Sequence, residues 1–493
     1  MSKPSFQAPK GTRDLYPADM LRRRYITDAW RRVALRHGFD EIDGPTFENA
    51  SLYAVKSGDG ILGEMFGVYS GKDPGDIELV QQGKPPFALR PEFTPTLARM
   101  YAARARQLPQ PTKWFCVSNF FRAERPQRGR LREFWQWNCD VLGSDDQNAA
   151  DVEVIGCAVE LCHELGLHAR DWNSELTGST NGVCVHFSNR LLAASLLCLS
   201  GVSAEQLPEA FVLLDRKDKM PGEAFLLRSQ QIGLRFDEFQ ARSQAVGSSV
   251  FFSRRSDRPQ DLSKEQLAEL GADVSRLQSF WSLVTASQFE AWCAFDPSIV
   301  RGLAYYTGTV FEVIAEGERA VAGGGRYDNL IELFGGPPTP ACGFGMGDVV
   351  LGNLLDDKGL MPDGPAMLDA LSRPMPVRPD AFIIAANDDA AAHITPLTAR
   401  LRRGTESPDW LSRDTRKPWD TGRYTVAPLH ARRTYKTTRN VGKLLADANA
   451  CHARWAVIIE NAEVATLKNL DTREERKDIP LDAVAAAIAS PCH

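Results

Sequence analysis

The sequence predicts an α+β chain in three parts: a sheet-based core flanked by helices, a mostly helical insertion, and a small C-terminal α/β unit. Three observations carry this. Residues 121–140 read as two extended segments joined by a basic loop. In the second segment Phe134, Gln136, Asn138 and Asp140 share one strand parity, and Trp135, Trp137, Cys139 and Val141 share the other. Residues 203–290 shift to Glu, Gln, Arg, Ser and Leu, with Leu262, Leu267, Leu270, Val274, Leu277 and Trp281 at helical spacing. Beyond a stretch holding Pro362, Pro365, Pro374, Pro376 and Pro379, strands at 381–386 and 455–460 alternate with helices at 390–403 and 440–450. That alternation is the pattern of a partly parallel sheet.

Composition sets the outer bounds. A chain of 493 residues implies two to four domains, and 43% hydrophobic with 25% charged residues is ordinary for a soluble globular protein. The net charge of −5 hides an asymmetry: residues 400–443 hold twelve Lys and Arg against four Asp and Glu. Such a basic stretch favours an anionic polymer as partner. The ten cysteines form no CxxC pair, and Cys157 and Cys162 fall in an apolar helical pattern that suits buried thiols rather than a metal site. The opening MSKPSFQAPKGTRD has no apolar signal region, and no run of eighteen apolar residues exists. A reducing, cytoplasmic compartment without membrane contact is expected.

The 121–140 stretch carries the chemistry. Arg122, Arg125, Arg128, Arg130 and Arg132 crowd around Glu124, the only acid among them, with Pro126 and Gly129 marking the loop. Guanidiniums in such a loop suit bidentate phosphate contacts. Taken alone the arginines leave a merely solvated hairpin level with nucleotide or nucleic-acid binding. The pairing of Gln136 with Asp140 beneath them tips the balance towards a polar site built on a sheet. Residues 87–99, FALRPEFTPTLAR, read as a strand-to-helix junction carrying Glu92, which suits a buried carboxylate facing an ammonium. Residues 300–312, VRGLAYYTGTVFE, place Arg301 before a tyrosine pair, Tyr305 and Tyr306. The glycines at 323–325 suit a strand end where the missing Cβ lets backbone approach a ligand. No GKS or GKT follows them, so a P-loop is excluded.

Taken together these stretches resemble the histidyl-tRNA synthetases, a family of class II aminoacyl-tRNA synthetases. Residues 10–14, KGTRD, are similar to the family's start signature, and 41–47 with Pro45 to motif 1, the dimer-forming element. FRAERPQRGRLREFWQWNCDVLG is similar to motif 2, RGLAYYTG to the family's RGLDYYTG signature, and GFGMG with its following helix to motif 3. The resemblance runs from Lys10 to the C-terminal unit. It implies an antiparallel class II core of six or seven strands flanked by helices, divided into residues 1–170 and 291–360. A helical insertion lies within 171–290, a linker spans 361–379, and an anticodon-binding domain spans 380–493 with an insertion near 404–434. Cut at the linker, the core is expected to keep adenylate formation and lose tRNA affinity.

By the same resemblance, L-histidine is activated with ATP to histidyl-adenylate and passed to tRNA(His) by a homodimer, with Mg2+ accompanying the ATP. Arg122 and Arg301 would be the catalytic cations at the α-phosphate, next to the histidine carboxylate. Arg130 would reach the outer phosphates, Phe134 would stack on adenine, and Glu124 would orient the adenine or the metal-bound phosphates. Glu92, Thr94 and the backbone of Phe93 would receive the substrate amino group, Gln136 and Asp140 the imidazole, and Tyr305 and Tyr306 would line its pocket. No cluster of metal ligands is visible.

Two positions depart from the family pattern. Ala304 stands where an Asp is common, and Val350 stands where motif 3 normally carries the arginine that meets the γ-phosphate. Arg130, with Arg326 in reserve, is the candidate replacement. The loss of that arginine leaves two alternatives open, a catalytically inactive synthetase-like regulator and a tRNA-sensing protein. The retained site residues argue against both. In the 404–434 stretch Trp410, Trp419 and Tyr424 among arginines suit either stacking on unpaired bases or an ordered surface insertion.

Overall fold

A computed structural model describes residues 6–57, 65–170, 182–217, 220–251, 270–300, 305–315, 320–413, 416–420 and 422–489. Among these residues the main sheet has nine strands. Six form its antiparallel centre, in the order Thr112–Phe121, Glu133–Leu142, Ala341–Gly347, Ala320–Arg326, Thr309–Ala315, Gly182–Asn189. Asp40–Glu41 adds in parallel at one edge, and His168–Ala169 and Cys293–Phe295 add in parallel at the other. The class II-type antiparallel centre expected from the sequence is therefore present.

Parity explains how this sheet sorts its residues. Trp137, Cys139 and Val141 bury in the main core beneath helices Pro17–Arg36 and Gln147–Glu164, where Trp30 stacks on Trp137 at 6.2 Å. The opposite parity faces a second, smaller cluster that includes Phe93, Phe120 and Tyr327. Helix Gln147–Glu164 starts on Asp146, whose carboxylate accepts from Ala149 N at 3.0 Å. The inserted region after strand Gly182–Asn189 folds as helices Arg190–Leu199, Leu207–Asp215, Gly222–Gln231, Phe236–Phe251 and Gly271–Ala286. Leu262 and Leu267 lie outside the described residues.

The proline-rich stretch is more than a spacer. Pro365 starts helix Gly364–Leu371, and Met367 and Ala370 bury in the main core. The C-terminal unit has the expected partly parallel sheet: Ala431–Arg433, Ala381–Ala385 and Trp455–Ile459 run parallel, and Val464–Asn469 and Glu475–Pro480 return antiparallel.

Part of the charge of the basic stretch is taken up by folding. Its guanidiniums largely meet partners inside the protein. Arg402 Nη1 lies 2.7 Å from Glu153, Arg403 Nε 3.3 Å from Glu160, and Arg432 Nη2 2.8 Å from Asp40, all three carboxylates belonging to the core. Arg423 pairs with Glu406 at 2.9 Å and donates to the carbonyls of His163 and Glu164, which end helix Gln147–Glu164. A cation there satisfies carbonyls that have no partner within the helix. Trp410 is buried, with Arg416 and Arg423 over its ring, so it is not available to stack on a base. A tertiary junction consumes charge that a linear count assigns to a polymer. Severing the chain at the linker would strip Glu153 of Arg402 and the helix end of Arg423. The core is therefore not expected to survive that cut unchanged.

Two buried histidines at this junction make its stability pH-dependent. His430 donates from Nδ1 to Pro376 O at 2.7 Å and accepts from Arg432 at Nε2, leaving no place for a second proton. Burial first, and Arg432 second, lower its pKa to about 3. His37 is lowered to about 3 by burial and by Arg402. Both stay neutral in the folded protein while the unfolded chain takes up protons below its ordinary histidine pKa. Stability is thus full above that value and falls as the pH drops towards 3. Unfolding free energy should decline by roughly 2.7 kcal/mol per pH unit below ~6.5, about half of it from each histidine. Denaturant titrations from pH 7 to 5 check this, and His37→Gln should roughly halve the slope. An unchanged slope in that variant would show His37 to be protonated in the fold.

Candidate active site

A cleft of about 830 Å3 opens on the polar face of the sheet. Its floor is glycine. Gly343 pairs in register with Asp140, Gly345 pairs with Asn138, and Gly323 pairs with Gly345 on the next strand. A Cβ built on Gly343 would fall 1.9 Å from Asp140 Oδ1, and one on Gly345 would fall 2.4 Å from Gln136 Nε2. The side chains of Asp140 and Gln136 therefore lie across the neighbouring strand in space that only glycine leaves open.

Asp140 sits at the closed end, 2% exposed, and accepts a hydrogen bond from Tyr327 Oη at 2.5 Å. Burial, then the Asp140 charge, push the Tyr327 phenol well above its ordinary pKa, so it remains a donor. Tyr327 meets Tyr305 edge-on at 6.2 Å, and Tyr305 packs on Tyr306 at 4.6 Å. Gln136 Nε2 donates to Asn138 Oδ1 at 3.0 Å, holding two amides on the cleft wall. Glu92 and Thr94 line the same cleft, at the start of helix Thr94–Arg104.

The open end is cationic. Arg122 lies 5.0 Å from the centre of the Phe134 ring and donates from Nε to Pro91 O at 3.2 Å, tying this strand to the segment that carries Glu92. The loop closes through two backbone bonds between Gln127 and Arg130, at 3.0 and 2.8 Å. Arg130 lines the cleft and forms an ion pair with Glu124. Gly129, at φ +75°, passes so close to Val350 that a Cβ on it would sit 3.1 Å from Val350 Cγ2. Val350 is thus a small apolar rest for the basic loop, and it lines the cleft.

Most of the expected site residues come together here: Glu92, Thr94, Arg122, Arg130, Phe134, Gln136, Asp140, Tyr305 and Tyr306 share the cleft. Phe93 is fully buried against Phe120 and Glu124 pairs with Arg130; neither lines the cleft. Arg301 and Ala304 lie outside the described residues. Arg326 is a correction. It points to the opposite face, where it pairs with Asp151 at 2.6 Å and Asp328 at 2.9 Å, so it is not a reserve for phosphate. Parity put Asn138 on the cleft face without giving it a role, and sequence reasoning missed Glu312 and Tyr327 as cleft residues. The Tyr327 contact spans 187 residues and leaves no local signal.

Buried carboxylate and amides at one end, arginines and a ring at the other, on an antiparallel sheet, define a class II aminoacyl-tRNA synthetase core. The family profile described as "Histidyl-tRNA synthetase" matches residues 11–347. The histidine–tRNA ligase of Pyrococcus abyssi is 33% identical over 489 residues, covering 97% of each chain. That of Thermococcus kodakarensis is 33% identical over 405 residues, 81% of this chain and 84% of that one. The crystal structure of histidyl-tRNA synthetase from Nostoc sp. PCC 7120 covers 99% of both chains with TM-score 0.57 at 20% identity, a likeness of fold. The chain belongs to the histidyl-tRNA synthetase family.

If Arg130 replaces the missing motif 3 cation, Arg130→Ala should raise the KM for ATP at least tenfold. Val350→Arg should leave that KM equal or lower it, and should shrink the Arg130→Ala penalty in the double variant, because the two cations then serve the same phosphate. Steady-state kinetics at varied ATP reads all three. An Arg130→Ala variant with unchanged KM for ATP would remove Arg130 from the outer phosphates.

Proposed function

We propose that the chain is a histidine–tRNA ligase that activates L-histidine with ATP and transfers the histidyl group to tRNA(His). The observation that carries this is the cleft itself, which joins the buried Asp140 carboxylate to the Arg122 and Arg130 guanidiniums across one pair of strands. Adenylation requires little proton transfer. It requires an attacking carboxylate oxygen aligned with the α-phosphate and donors aimed at the charge that spreads over the phosphate oxygens. Arg122, with Arg301, takes the α-phosphate; Arg130 takes the outer phosphates; Phe134 offers a ring to the adenine. Glu92 and Thr94 receive the ammonium, and Asp140, oriented by Tyr327, accepts from the imidazole N–H. Magnesium arrives with ATP as the substrate complex. Pairing of two copies through residues 41–47 is supported by the half-exposed ring of Phe47 there. Among the described residues no helix is long and apolar enough to cross a membrane.

Histidine-dependent ATP–pyrophosphate exchange tests the activity. Val350 favours a second reading, a chain that binds these ligands without activating histidine. Absence of exchange with magnesium present would put that reading in its place. Asp140→Ala separates the roles within the cleft: histidine affinity should fall by roughly 1–3 kcal/mol with ATP affinity little changed, since Tyr327 is left without its acceptor. Equal loss of both affinities would show that Asp140 only supports the fold.

A further inference from the structure

The junction between the core and the C-terminal unit holds a cavity that the ligase reaction does not use. It has a volume of about 110 Å3 and is lined by His163, His168, Glu406, Trp410, Arg416 and Arg423, none of which lines the active-site cleft. His163 belongs to helix Gln147–Glu164 and His168 to the strand after it, whereas the other four come from the C-terminal insertion.

The wall is rich in donors. Trp410 is 4% exposed, and its indole Nε1 has no acceptor among the described residues. A buried N–H in that state calls for a bound acceptor. Glu406, the carboxylate on this wall, is already engaged: Arg423 Nε donates to it at 2.9 Å and His163 Nε2 lies 3.4 Å away. Burial alone would raise the Glu406 pKa, but the His163 and Arg423 contacts outweigh it and hold it at about 2. Its charge is thus balanced by Arg423, which is also spent on the carbonyls of His163 and Glu164. Arg416 is a second guanidinium, its Cζ 5.8 Å from the centre of the Trp410 ring, and it forms no ion pair among the described residues. Among the described residues, what remains unspent is one positive charge, an indole N–H and the His168 imidazole. The space is several times the roughly 30 Å3 share of one water molecule.

We propose that this cavity binds a phosphate-sized oxyanion, and that the bound anion clasps the C-terminal insertion onto the end of the core helix. The anion is a phosphate group, either free or carried on a polynucleotide.

Calorimetric titration of the full chain with inorganic phosphate tests this, together with binding of a tRNA transcript at fixed salt. The variants are Arg416→Gln and Trp410→Phe. Arg416 is exposed, so its replacement does not threaten folding; Trp410→Phe removes the N–H without changing charge, which separates a specific site from a general loss of positive field. Saturable phosphate binding that weakens at least tenfold in both variants, with tRNA affinity unchanged, supports the site and assigns it to free phosphate. A tenfold loss of tRNA affinity in both variants, with free phosphate competing in the wild type, supports it and assigns it to polynucleotide phosphate. Phosphate and tRNA binding both unchanged in Arg416→Gln overturns the proposal and leaves the cavity to water.

Discussion

Alanine at Gly343 is expected to remove histidine activation while the rest of the cleft stays formed. The added Cβ would lie 1.9 Å from Asp140 Oδ1, 2.6 Å from its Cγ and 2.7 Å from the Cys139 carbonyl oxygen. None of these can yield cheaply, because one is backbone and the others belong to a carboxylate held by Tyr327. The carboxylate must leave Tyr327 or the strands must part. A loss of kcat/KM for histidine on the order of a hundredfold follows, equivalent to about 2.7 kcal/mol. The KM for ATP should move little, since Arg122 and Arg130 sit at the other end. Gly345→Ala should be milder, because its nearest atom is the Gln136 Nε2 amide at 2.4 Å, the end of a rotatable side chain. Gly347→Ala, with nothing within 4 Å, serves as the comparison. Pyrophosphate exchange at varied histidine and ATP reads the series. A Gly343→Ala protein with wild-type kcat/KM for histidine would show that Asp140 does not meet the substrate.

That series also marks where sequence reading stops. Parity alone separates the wet and dry faces of residues 133–142, because side chains on a strand alternate with a period of two whatever the rest of the chain does. Gln136 and Asp140 were legible for that reason, and so was the missing arginine at Val350, since a strand running into a helix fixes its position. The function of the glycines was only half legible. Those at 323–325 read as close approach, but the clearance for Asp140 is made by Gly343 on a strand two hundred residues away, and register between distant strands is a tertiary fact. The basic stretch was only partly legible for a related reason. Lys and Arg counts report charge, not the carboxylates that charge will meet, and Glu153, Glu160 and Asp40 are brought to it only by folding. The proline-rich stretch likewise conceals a helix, because Pro365 falls at its first turn, where proline is tolerated.

Replacing Glu153 by alanine is expected to give the largest loss of stability in the chain and to separate its two parts. Glu153 is buried on helix Gln147–Glu164, and its carboxylate is the meeting point of both units. Arg402 reaches it at 2.7 Å and Lys113 at 2.9 Å, Tyr435 Oη donates at 3.0 Å, and His37 Nδ1 lies 3.1 Å away. Burial would by itself raise its pKa, yet Arg402, then Lys113, hold it well below the ordinary carboxylate value. The sign follows: the contribution is complete at neutral pH and is lost only as the pH falls through that depressed value. Alanine leaves two buried cations with no carboxylate between them, a change worth roughly 3–5 kcal/mol. Glu153→Gln keeps the shape and two hydrogen bonds, so its loss should be smaller. Because Arg402 and Tyr435 belong to the C-terminal unit and Lys113 and His37 to the core, the cost falls on the junction rather than on either core alone. Calorimetric unfolding should therefore change from a joint transition in the wild type to two in Glu153→Ala, the earlier one belonging to the released unit. Histidine-dependent exchange at low temperature should persist, since the helix that carries Glu153 packs on the face of the sheet away from the cleft. A single transition shifted by less than the equivalent of about 1 kcal/mol would show that water already screens this carboxylate.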